Sequence, residues 1–241
     1  EFFHHTLAHY YLDRFQDMEE VIEKLDELIS LSDTSIPFIY GSRISEPVFI
    51  VGRDKENDYL AEWFAQNTQN CLFIVGMGGI GKSTLMRYFI ARNTKKFDTV
   101  LYVNYNISIV RTIIDDRQIR INTIEQDECE SSSEYFKRKL EVIRELAIGK
   151  NIVLIIDNYT DEPVQDFSAL LNINWKIVLI TRNKSLAEGY TALEISAIQN
   201  SATLYSLFEN YLGRYLSKNE YPYLDNVIEK VEGHTFVLEL I

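Results

Sequence analysis

Residues 71–85 read CLFIVGMGGIGKSTL, and no other stretch narrows the possible folds as far. A continuous apolar run opens into a turn with glycine at 76, 78, 79 and 81, and the turn ends in Lys82, Ser83 and Thr84. A short apolar run bounded by glycine suits a strand buried on both faces. Glycines in the turn let backbone N–H groups converge on an anion with no Cβ in the way. A helix beginning at Lys82 adds the positive end of its dipole. From Gly76 to Ser83 the spacing is G-x-x-x-x-G-K-S, the phosphate-binding loop, with a strand before it and a helix after it as the chemistry requires. In such a loop Lys82 reaches the β- and γ-phosphates as a point charge, and the Ser83 hydroxyl ligates Mg²⁺.

The surrounding pattern supports an α/β chain. Strands are expected at 71–75, 99–105, 151–156, 176–180 and 192–195, and helices at 54–67, 82–93, 133–148, 164–171 and 183–188. Their alternation predicts a doubly wound parallel sheet, a P-loop NTPase fold. Segment 106–132 is long for a plain loop and is expected to hold a short helix near 107–115. After residue 196 the pattern turns helical, with helices expected at 200–212, 221–232 and from 235 onward. Three parts follow: a connector over 1–47, a nucleotide-binding domain over 48–196, and a small helical domain over 197–241. Within the connector, residues 10–31 form an amphipathic helix, with Met18, Val21, Ile22, Leu25, Leu28 and Ile29 at three- and four-residue steps. Residues 32–47, with Pro37, Gly41 and Pro47, read as a linker. His4, His5 and His9 have no acidic or thiol ligand placed to complete a metal site, so they read as exposed histidines.

Net charge is −12 and no dense Lys/Arg run is present, so nucleic acid is not the expected partner. The two cysteines, Cys71 and Cys129, form neither a disulfide framework nor a zinc spacing, which fits a reducing, cytoplasmic setting. No apolar run approaches bilayer length. The chain starts at Glu1 and ends in FVLELI, as a piece of a longer polypeptide would.

The second half of a phosphate site is a carboxylate at the end of another buried strand. NIVLIIDNYTDE, 151–162, places Asp157 there, where it can serve Mg²⁺ through water. Many P-loop ATPases carry a second acid next, to orient and deprotonate the attacking water. Here that position is Asn158, whose amide cannot take a proton at neutral pH, and slow hydrolysis is expected. Asp161 and Glu162 stand close in sequence, and nothing in the pattern makes either a substitute. In IVLITRN, 177–183, Thr181 and Arg182 end a strand expected beside the loop strand, where an arginine can read a γ-phosphate.

These residues together resemble the NB-ARC type of STAND ATPases, the nucleotide switches of plant immune receptors, apoptosome proteins and many bacterial proteins. FIVGRDKENDYLAEWF (49–64), IVGMGGIGKSTL (74–85), KKFDTVLYV (95–103), IVLIIDN (152–158), IVLITRN (177–183) and EGHTFVLELI (232–241) occur in that family's order. The resemblance implies ATP or ADP with Mg²⁺. It implies Val51 and Arg53 at the adenine and residues Gly78 to Thr84, including Gly79, Ile80 and Gly81, around the phosphates. It further implies Asp157 at magnesium and Arg182 as a γ-phosphate sensor. The family's turn near the adenine is here Gly233-His234-Thr235-Phe236, with Thr235 at the proline position and His234 facing the pocket. Effector, winged-helix and sensor domains would lie outside these residues, and the ATP form would assemble into a homo-oligomer. The implied role is the core of a bacterial NLR-like signalling ATPase, in the setting of antiphage defence. The rival readings are an actively hydrolysing AAA+-like remodeller and a transcription regulator of the same family.

Overall fold

The computed structural model describes residues 42, 44–47, 49–66, 69–116, 119, 121, 123–160, 165–173, 175–231 and 234–235. The helix expected over 10–31, the three N-terminal histidines, Asp161, Glu162, Gly233 and Phe236 lie outside them. Most described residues belong to one compact unit, Ile39–Arg120 with Gln126–Ile241.

Five parallel strands form its sheet: β1 Cys71–Val75, β2 Thr99–Asn104, β3 Ile152–Tyr159, β4 Lys176–Thr181 and β5 Thr191–Glu194, in spatial order β2-β3-β4-β1-β5. All five residues of β1 are buried, as the apolar run demands. The loop strand lies between β4 and β5, with Val75 opposite Thr181, so Arg182 emerges beside the glycine turn as the sequence led one to expect. The chain leaves β1 for the far edge and returns strand by strand through β4 before crossing to β5. That reversal opens a crevice at the carboxyl ends of β1 and β4, where sheets of this kind bind ligands.

Helices cover both faces. α1 (Asp54–Ala65) and α2 (Lys82–Asn93) pack Leu60, Trp63, Leu85, Met86 and Phe89 onto Leu72, Ile74, Val153, Ile155, Val178 and Ile180. Each such side chain removed from water contributes about 1.5–3 kcal/mol. α3 (Ile109–Asp115) starts at Ser108, whose side chain accepts the Arg111 N–H, and packs on α4 (Ser132–Leu146). α5 (Gln165–Leu171), in contact with α3, brings Phe167 into ring contact with Phe73 and Tyr159 on the face away from α1 and α2. α6 (Ser201–Leu212) and α7 (Tyr221–Lys230) build a second apolar cluster on Leu204, Leu207 and Leu224, against which Phe49 and Val51 pack.

Two elements differ from expectation. β3 runs on to Tyr159, past the expected end at 156, through a register irregularity between Ile156 and Tyr159. The helix expected at 183–188 is one 3₁₀ turn, Lys184–Ala187. The Asn183 side chain opens that turn by accepting the Ser185 N–H, and Gly189 with φ +83° follows close behind, leaving no room for a longer helix. Cys71 is buried and Cys129 exposed, and neither is in a disulfide. Among the described residues no helix is long and apolar enough to cross a membrane.

Candidate nucleotide-binding site

The crevice is a cavity of about 700 Å³, a size suited to a small-molecule ligand. One side of it is apolar, built by Phe49, Val51, Ile198, Leu207 and Tyr211. The other is polar and holds Gly79 to Thr84, Asp157, Asn158 and Arg182. A flat apolar base with a charged tail suits such a division.

The polar end is defined by what the chain leaves unmet. α2 begins at Gly81 with φ +98°, a conformation costly to any residue with a Cβ, and no side chain caps it. Its first turn also holds no acid, so the N–H groups of Lys82, Ser83 and Thr84, residues that line the cavity, have no side-chain cap. Lys82 is 7% exposed, and its Nζ donates to the carbonyl oxygens of Gly76 and Met77, each at 2.7 Å. Burial lowers its pKa, Arg182 lowers it further, and Asp157 works the other way. The Arg182 guanidinium lies on the loop: a Cβ at Gly78 would stand 3.0 Å from its Cζ. Among the described residues neither Lys82 nor Arg182 has a salt-bridge partner. Two cations at an uncapped helix start make a strong demand for an anion.

Asp157 is 3% exposed. Its Oδ1 accepts the Ser83 hydroxyl at 3.0 Å and the Asn158 N–H at 2.9 Å, while Oδ2 accepts the Tyr102 phenol at 2.7 Å. Burial, then the neighbouring carboxylate, raises the Tyr102 pKa. Hydroxyl and carboxylate oxygens are the hard donors that Mg²⁺ takes, and it usually completes its shell with phosphate oxygens and waters. Among the described residues no group of three His, Cys, Asp or Glu side chains could hold a metal alone. The arrangement thus fits a cation that arrives with its phosphates, and it fits magnesium nucleotide as a whole. Asn158 adopts φ +59° at the irregularity in β3, is exposed, and lines the cavity where a water-orienting acid would stand. Asparagine tolerates that left-handed conformation better than most residues.

The upstream motif is tied into the same place. Arg53, 7% exposed, donates to Ser196 O at 2.8 Å and Ile80 O at 3.0 Å and pairs with Glu56 at 2.8 Å. Arg53 and Val51 both line the cavity. His234 meets the loop rather than the cavity wall: its Nε2 donates to Gly78 O at 2.7 Å, and its buried Nδ1 has no hydrogen-bond partner among the described residues. Thr235 Oγ1 donates to Gly79 O at 2.9 Å and does line the cavity. Sequence reasoning overlooked Tyr102, Leu207 and Tyr211 here. The apolar stripe of helix 200–212 was readable, but not what it faces.

A profile of the NB-ARC domain matches residues 53–215. The chain belongs to the NB-ARC domain family. It is a nucleotide-binding P-loop ATPase domain. Among solved structures it is similar to a Walker-type ATPase of Pyrococcus abyssi, with 15% identity and a TM-score of 0.52 over 84% of this chain and 69% of that one. It is also similar to Cdc6p from Pyrobaculum aerophilum, with 15% identity and a TM-score of 0.51 over 69% of this chain. The match spans half of the Cdc6p chain, 50%. At such identities the likeness shows the shared P-loop ATPase fold. No curated protein matches the NB-ARC chain.

Proposed function

We propose that this NB-ARC chain is an ATP/ADP switch with slow hydrolysis, the core of an NLR-like signalling protein. In this reading residues 48–196 bind the nucleotide, residues 197–241 begin a helical part that closes on the base, and residues 1–47 lead in from an effector. ADP holds the closed form. ATP favours an open form that assembles with further copies and brings effectors together, and antiphage defence is the setting the family resemblance suggests. The observation that carries the reading is the convergence of Lys82 and Arg182, without ion-pair partners among the described residues, on an uncapped helix start.

The roles follow from position. The Gly81–Thr84 N–H groups and Lys82 bind phosphate oxygens in place of the carbonyls that Lys82 now engages. Ser83 and Asp157 would hold magnesium, which when bound neutralises charge on the phosphates. Arg182 adds charge-assisted bonds to the terminal phosphate, which ADP lacks. A ligand shifts a conformational equilibrium only by its differential affinity for the two states, and this contact is one that ATP alone can make. Asn158 orients but cannot accept a proton, so the ATP form persists.

Calorimetry on Arg182→Ala tests the reading: ATP affinity is expected to fall about 10-fold, the equivalent of about 1.4 kcal/mol, with ADP affinity unchanged. Equal losses for both nucleotides would remove the sensor role. Sustained turnover above about one per second, within the ordinary enzyme range, would favour the actively hydrolysing remodeller instead.

A further inference from the structure

Asp157 has a partner that no phosphate-loop motif specifies. Tyr102 stands on β2, the sheet edge next to β3, with Ile155 opposite it in register. It is 8% exposed, and its phenol donates to Asp157 Oδ2 at 2.7 Å inside the fold. The two carboxylate oxygens therefore have different company. Oδ1 turns toward Ser83 and the helix start, while Oδ2 is tied to the phenol.

Tyr102 is itself held on several sides. Its N–H donates to Ser42 Oγ at 2.8 Å, Ser42 N–H donates to Val100 O at 2.7 Å, and the Arg87 guanidinium lies 5.1 Å from the ring centroid. The lead-in segment thus pins the edge strand from outside and Arg87 covers the ring. A carboxylate's terminal torsion is broad and nearly two-fold, so its orientation must come from its partners. A phenol at neutral pH is a donor with its proton in place, suited to fixing one oxygen and leaving the other to a cation.

We propose that Tyr102 is a positioning residue for magnesium: it holds the Asp157 carboxylate so that Oδ1 is presented beside Ser83. The inference rests on the reading of Asp157 and Ser83 as the magnesium residues. Groups that orient a metal ligand from behind typically alter metal affinity about 10–100-fold when removed. Tyr102→Phe keeps the ring and its packing and deletes only the donor.

The experiment is calorimetric ADP binding across a Mg²⁺ titration and in EDTA, with the folded fraction followed by circular dichroism. Tyr102→Phe is expected to raise the half-saturating Mg²⁺ concentration about 10-fold and to leave ADP affinity in EDTA unchanged. In an Asp157→Asn background the same change is expected to do nothing more, because the tyrosine acts only through that carboxylate. An unshifted Mg²⁺ curve for Tyr102→Phe, beside a shifted one for Asp157→Asn, overturns the role of Tyr102 and leaves the magnesium site standing. An unshifted curve for Asp157→Asn overturns the site and the proposal with it. Equal losses with Mg²⁺ and in EDTA show that the phenol only supports the fold, and overturn the proposal. If Tyr102→Phe lowers the folded fraction, the double variant decides: a further Mg²⁺ shift over Asp157→Asn alone overturns the proposal, and none supports it.

Discussion

α2 and α4 each carry a buried lysine that donates to backbone carbonyls, and the chain treats the two helices in opposite ways. α4 begins with a capping box: Ser131 Oγ accepts the Glu134 N–H, and the Glu134 carboxylate accepts the Ser131 N–H. α2 begins at a bare glycine. Lys139 on α4 is 1% exposed and donates to Ile113 O at the end of α3, and it does not line the nucleotide cavity. Lys82 on α2 is nearly as buried, yet it lines a cavity with Ser83, Asp157 and Arg182. A buried lysine therefore does not mark a site by itself. What marks it is unmet bonding capacity gathered around open space. On the α3–α4 flank the helix start is capped and Lys139 donates to a carbonyl; at the loop the helix start has no side-chain cap.

The sharpest test of that contrast exchanges the two lysines' fates. Lys82→Ala is expected to lower ATP and ADP affinity about 100-fold or more, the cost of deleting one partner of buried charge-assisted bonds, whereas Lys139→Met leaves both affinities alone. Isothermal calorimetry on the two variants decides it, and retained binding by Lys82→Ala would sink the phosphate-loop assignment.

A smaller effect is expected from Asn158→Asp, which places a proton acceptor at the cavity without changing backbone preference. Turnover should rise about 10- to 100-fold in a phosphate-release assay. No rise would show that the second acid is not what limits hydrolysis.

A third effect concerns stability and is read for Lys139 by difference from a variant that lacks it. Burial pulls its pKa down to about 8, with Asp116 and Asp115 partly opposing. Unfolded, a lysine titrates near about 10.4. Below pH 8 both forms hold the proton and the cost of burying the charge applies in full. Between the two values the native form has shed the proton and the unfolded form has not, so stability rises with pH. Urea melts from pH 7 to 9.5 should show stability rising about 2 kcal/mol more in the parent than in Lys139→Met. The same slope in both proteins would mean that another group titrates there.

Much of this was readable beforehand, and the residues show why. The apolar runs at 71–75 and 176–180 had to be buried strands because they carry no polar face. α2 spans the expected 82–93 because a glycine turn precedes it and a helix-forming run follows. The 183–188 segment was misjudged in kind because two local side-chain and glycine effects outweigh its composition. Tyr102 was unreadable as a partner of Asp157, since the contact spans 55 residues and depends on β2 lying beside β3. The resemblance implied Arg53 in the nucleotide pocket, and Arg53 does line the cavity, but its bond to Ser196 O, 143 residues away, was not readable.

The sequence by itself determined that a phosphate-binding turn exists, that it sits between a buried strand and a helix, and that Asn158, not an acid, follows Asp157. Local chemistry suffices for those, because glycine, lysine and serine act through spacings of a few residues. Tertiary structure alone decided which oxygen of Asp157 meets Ser83 and which meets Tyr102, what lies over Gly78, and which apolar residues line the cavity. Those depend on strand order and on helices from distant parts of the chain, and packing chooses among arrangements that the local pattern leaves equally open.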